Sequence, residues 1–130
     1  MRTYGYTHEF RERSWDDIAS FLEGMSEMYE SFAHMSAIAH SVIDSGCSAA
    51  LAGTTSMHDI VVTSTPVSEP PLDVVIVRAP SSLRRPRNGH VVVEQRSLTG
   101  HDDRIERPVD EAVPLFWRFM IEKFGVKPDA

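Results

Sequence analysis

From Ser14 onward apolar residues return every three to four positions: Trp15, Ile18, Phe21, Leu22, Met25, Met28, Tyr29, Phe32, Met35, Ala39, Val42 and Ile43. That period belongs to an α-helix with one buried face, so the spacing predicts a long amphipathic helix from Ser14 to Asp44. Its carboxylates at 16, 17, 23, 27, 30 and 44 fall on the opposite side. Ser14 followed three residues later by Asp17 resembles a capping box with Asp in place of Glu, and Ser45-Gly46 supplies a stop. The stripe takes about three positions in seven, wider than a coiled-coil seam, which favours packing across a sheet. Leu22, Met25, Tyr29 and Phe32 are the expected core contacts of this helix.

The period then changes. Ile60-Val61-Val62-Thr63, Val74-Val75-Ile76-Val77 and Val91-Val92-Val93 are short β-branched runs separated by proline-rich and glycine-containing loops, and each predicts a strand covered on both faces or lying centrally. A further strand is expected near Arg104–Arg107, paired with residues 90 to 96. Ahead of the helix, Tyr4, Tyr6, His8 and Phe10 alternate with small or polar residues, which predicts a short strand with an aromatic face. Asp110 should cap a final helix to about Phe124, with Pro114 tolerated in its first turn and Gly125 ending it. Its expected apolar face is Val113, Phe116, Trp117, Met120, Ile121 and Phe124.

The order β-α-β-β-β-β-α predicts an α+β fold: two layers, with a mostly antiparallel sheet of about four to five strands flanked by the long N-terminal helix and a shorter C-terminal one. At 130 residues, 42% hydrophobic and 25% charged, the composition fits one domain over 1–130, with residues 126–130 expected to fray. Cys47 is the only cysteine, which excludes an intrachain disulfide. No long apolar run marks a signal peptide or a membrane span, so a cytoplasmic protein without membrane contact is expected.

Charge changes this picture more than composition does. No Lys or Arg lies between Arg13 and Arg78, where nine carboxylates fall, whereas ten basic residues meet eight acidic ones from Arg78 onward. The acidic helix face, Asp16, Glu23, Glu27 and Glu30, is therefore the expected partner-binding surface, suited to a basic protein partner. Arg84, Arg85 and Arg87 crowd one loop and form a candidate anion site, since guanidinium groups bind oxyanions through paired donors. A single basic loop on an acidic chain is a poor match to nucleic-acid binding.

No Gly-rich phosphate loop, nucleophile elbow, H-E-x-x-H or C-x-x-C occurs, and no catalytic residue, cofactor or metal ligand set is assigned. His58-Asp59 and His101-Asp102 offer ligand types for a divalent ion. Consecutive strand residues point to opposite faces, however, and coordination needs three or four convergent groups. Cys47 follows a helix end, where the dipole opposes a thiolate, so an inert buried thiol is expected. His34 and His40 are expected at the surface or its boundary. The reading that follows is a small non-catalytic interaction module, of the immunity, antitoxin, adaptor or inhibitor kind. Two alternatives stand beside it: a ligand-binding protein or enzyme with a pocket using His58, His90, His101, Asp59 and Arg78, and a structural homo-oligomer joining acidic and Arg-rich surfaces head to tail.

Overall fold

The computed structural model describes residues 4–128. Five strands form one antiparallel sheet in sequence order: β1 Leu51–Ser56, β2 Asp59–Ser64, β3 Val74–Arg78, β4 His90–Arg96 and β5 Arg104–Pro108. Helices α1 (Trp15–Met28), α2 (Ala33–Asp44) and α3 (Ala112–Phe119) pack on one of its faces. The architecture is thus the two-layer α+β arrangement that the hydrophobic pattern predicts.

The helix begins where expected: Ser14 Oγ accepts the Asp17 N–H at 3.1 Å, satisfying a donor that the first turn cannot pair. It does not run to Asp44. Tyr29 adopts an extended backbone (φ −137°, ψ 107°), a 3-10 turn follows over Glu30–Phe32, and α2 packs back against α1. The reason is geometric. A straight helix over 15–44 would run about 45 Å, whereas five strands about 4.8 Å apart present a face only about 20–25 Å wide. The bend lets both halves of the apolar stripe reach the sheet. It also splits the expected core set: Leu22 and Phe32 are buried, Met25 is half-buried, and Tyr29 is 53% exposed.

Strands β2 to β4 coincide with the three β-branched runs, and β5 pairs with β4 through Val93 opposite Ile105. Ile60, Val62, Val75, Val77, Val91 and Val93 face the helices; Val61, Leu72, Val74 and Ile76 form a smaller cluster on the other face, with Tyr6 and Phe10 against it. Both faces of the central strands are covered, which accounts for their unbroken apolar character.

Three further expectations are corrected. The segment from Tyr4 to Phe10 is no strand: it forms one isolated bridge, Tyr6 to Leu72 ahead of β3, and sets Tyr6 and Phe10 against the second face. In its place the sheet gains β1, whose Leu-Ala-Gly-Thr-Thr-Ser sequence is a weak strand signal. Gly53 in β1 allows the helix to approach, because a Cβ there would stand 2.8 Å from the Trp15 ring, whose Nε1 donates to the Leu51 carbonyl at 2.8 Å. Asp110 is not a helix cap; it lies inside a 3-10 turn over Val109–Glu111 that leads into α3. The last helix passes into a π-helical turn, Met120–Phe124, and ends at Gly125 in the left-handed region (φ 68°), as expected. Leu115 and Phe119 of α3 are buried, whereas Ile121, expected on the apolar face, is exposed in the π-helical turn. Beyond it, the Val126 N–H bonds to the Met120 carbonyl and its side chain packs on the core, while the Lys127 carbonyl accepts the Cys47 thiol. Residues 129–130 lie outside the described part.

Candidate functional site

The acidic surface is a feature of α1. At 100° per residue Asp16, Glu23 and Glu27 fall within roughly 40° of one another, a stripe about 16 Å long. All three are exposed, and among the described residues neither they nor Glu30 form an ion pair. Glu30 stands apart. It belongs to the 3-10 turn after the bend and lines the cavity described below. Directly after Glu27 in the chain, and about 100° around the helix from it, come two exposed apolar residues at the end of α1, Met28 (70% exposed) and Tyr29.

Beside this end lies a bracket of rings. His58, in the β1–β2 turn, stacks on Phe21 of α1 at 5.8 Å and meets Phe32 edge-on at 5.6 Å, and its Nδ1 is 2.7 Å from Ser81 Oγ. His58 therefore ties the β1–β2 turn and the β3–β4 loop to α1. Its neighbour Asp59 points to the opposite face of the sheet, as strand alternation requires.

On that opposite face is a buried ion cluster. Arg78 Nη1 donates to Asp59 Oδ2 at 3.0 Å and its Nε donates to Glu94; the three side chains are 12%, 9% and 6% exposed. Asp59 also accepts the Ala79 N–H at 2.7 Å and Ser82 Oγ at 3.1 Å. Three strands and the start of the β3–β4 loop are thereby joined through one guanidinium. A cavity of about 220 Å³ adjoins the cluster, lined among others by Tyr6, His8, Asp59, Arg78 and Arg96. Burial raises the pKa of Tyr6, with the Arg78 charge opposing the shift.

A second, larger cavity of about 590 Å³ opens between the β3–β4 loop and the start of α2. Arg85, Arg87 and His90 line one side, Glu30, Ser31 and His34 the other. Arg84 does not reach it and stands exposed. Arg87 is steadied by Glu106, whose carboxylate accepts its Nε at 3.0 Å and its backbone N–H at 3.2 Å; these bonds hold Glu106 below the usual carboxylate range. His34 corrects the expectation of a surface histidine. It is only 9% exposed because the bend turns the first turn of α2 toward the β3–β4 loop, and its Nε2 is buried with no hydrogen-bond partner.

Burial lowers the His34 pKa from 6.5 to about 4. The neutral ring is thus favoured in the folded state, and the unfolded chain takes up the proton first as pH falls. This contribution is fully present above the unfolded value and is lost as pH drops from about 6.5 toward about 4. Urea melts across that window should therefore show wild type losing stability relative to His34→Gln. Parallel curves for the two proteins would mean that the folded state protonates His34 as readily as the unfolded chain does.

Of the polar residues considered for a catalytic pocket, the structure brings together only Asp59 and Arg78. His58 lies against α1, His90 in the larger cavity, and His101 in the exposed β4–β5 turn. Among the described residues no group of three or more His, Cys, Asp or Glu is placed to hold a metal ion, and no helix is long and apolar enough to cross a membrane. Glu94 has no place in the expectations drawn from sequence, and Tyr6 and His34 entered them only as a strand residue and a surface histidine. The first carries a signal in hindsight, a carboxylate closing the apolar run Val91–Val93, but its partner lies on another strand. Comparison with protein-family models, with curated proteins and with solved structures found no match for this chain.

Proposed function

We propose that the protein is a non-catalytic interaction module that presents the α1 acidic stripe to a basic protein partner. One observation carries the reading: Asp16, Glu23 and Glu27 form an aligned, exposed row that pairs with no cation among the described residues, with the exposed Met28 and Tyr29 at the same end of the helix. Unpaired charges in a row steer an oppositely charged partner, and an apolar, aromatic end offers the desolvated contact that holds it. Methionine suits such an end because its unbranched side chain adapts to the surface it meets.

The experiment compares wild type with Glu23→Lys/Glu27→Lys against the partner recovered by affinity capture from the native host. These positions are solvent-facing, so the fold should hold. The association rate is expected to fall about tenfold at low salt, with the difference shrinking as ionic strength rises and the Debye length drops below about 10 Å. An unchanged rate in this variant, with binding lost instead on reversing Arg84, Arg85 and Arg87 to Glu, would transfer the interaction to the Arg-rich loop and defeat the proposal.

A further inference from the structure

The larger cavity carries a site independent of the acidic stripe. We propose that it binds the phosphate group of a small phosphorylated molecule, held by Arg85 and Arg87. Among the described residues the Arg85 side chain has no ion-pair or hydrogen-bond partner, although it lines a cavity. Among the described residues Arg87 bonds only Glu106, through its Nε and backbone N–H, which fixes the guanidinium and leaves both terminal amino groups for a ligand. Two guanidinium groups two residues apart, one anchored and one free, are a donor set suited to a tetrahedral oxyanion.

The surroundings narrow the ligand further. Pro80 and Pro86 belong to the wall, and their locked φ angles limit how far the loop can collapse onto empty space. At about 590 Å³ the cavity falls within the range of small-molecule pockets and exceeds what one phosphate fills. On the side facing the arginines, Glu30 repels a purely anionic ligand but accepts hydrogen bonds from hydroxyl or amino groups. His34 borders the same wall, with its Nε2 buried beneath the surface. Arginine on one side with the Glu30 carboxylate and Ser31 on the other fits a phosphate ester whose remaining part bears hydrogen-bonding groups. The shape and charge of the loop thus define an anionic head and a polar, uncharged tail.

Inorganic phosphate is the probe, titrated calorimetrically at constant ionic strength with chloride as the balancing anion. Saturable binding in the millimolar range is expected. Arg85→Ala should weaken it about tenfold, as loss of a charge-assisted bond does. Arg84→Ala, a neighbouring charge outside the cavity, should leave it within about twofold. Glu30→Gln should tighten it, because the change removes a repulsive charge and keeps the shape. The His34 imidazole resonances should move on titration in wild type, and in Arg85→Ala only at about tenfold higher phosphate. Absence of saturable binding up to about 10 mM phosphate would overturn the proposal. So would equal weakening in Arg84→Ala and Arg85→Ala, which would show diffuse screening by a basic loop. Thermal melts of each variant separate lost binding from lost structure.

Discussion

Arg78→Met is expected to lower the stability of the protein by about 3–5 kcal/mol, the usual consequence of removing one partner from a buried ion cluster. The guanidinium alone serves both Asp59 and Glu94, which lie on neighbouring strands to either side of β3. Without it, two carboxylates remain on a mostly covered sheet face, with Ala79 N–H and Ser82 Oγ as the other donors to Asp59 and no other ion-pair partner for Glu94. The loss should therefore reflect stranded charge and not lost packing, since the methionine stem replaces much of the arginine's apolar volume. Two further variants separate these causes. Adding Asp59→Asn and Glu94→Gln to Arg78→Met should recover most of the lost stability, because neutral amides no longer need a counter-ion. Arg78→Lys should fall between wild type and Arg78→Met, as one ammonium cannot present the arginine fork to both carboxylates. Urea denaturation of the four proteins measures this directly. A triple variant no more stable than Arg78→Met would show that packing at this position, and not charge, holds the three strands.

Phe32→Ala should cost about 3–5 kcal/mol, whereas Tyr29→Ala should cost under about 1 kcal/mol. The contrast tests the bend between α1 and α2. On an uninterrupted helix residues 29 and 32 share a face, and both would lie in the core. In the structure the extended backbone at Tyr29 turns its ring outward, while Phe32 is 4% exposed and packs against His58. Phe32→Ala therefore empties a core site and removes one wall of the bracket that joins α1 to the β1–β2 turn. Tyr29→Ala gives up only a tilted ring contact at 6.4 Å and a half-wet surface. Equal losses at the two positions would require a continuous helix and a different register of α2 on the sheet. The same pair separates stability from interaction: if α1 docks a partner through its end, Tyr29→Ala should weaken that association while leaving the melt nearly unchanged.

Local pattern alone carried much of the fold. Ser14 with Asp17 marked the start of α1, Gly125 marked the end of the last helix, and the runs at 60–63, 74–77 and 91–93 became β2, β3 and β4. These features were legible because caps, left-handed stops and buried β-branched runs act within a few residues of one another. The acidic character of α1 was equally plain, since helical spacing by itself aligns Asp16, Glu23 and Glu27.

Contacts remote in sequence decided the rest. The helix breaks at Tyr29 because the sheet is too narrow for a straight rod, and no residue near Tyr29 announces the width of a sheet built from residues 51 to 108. Strand β1, poor in β-formers, exists because β2 offers it an edge to pair with and Trp15 needs the space that Gly53 leaves. The aromatic alternation of Tyr4 to Phe10 suggested a strand, yet the sheet uses two of those rings, Tyr6 and Phe10, to cover its second face. Asp59, Arg78 and Glu94 stand 19 and 16 residues apart and meet only through the register of three strands. The larger cavity likewise forms where the bend, the first turn of α2 and the Arg-rich loop come together. Periodicity specifies which face of an element is apolar; the register and length of its neighbours specify what that face, and every polar group beside it, will touch.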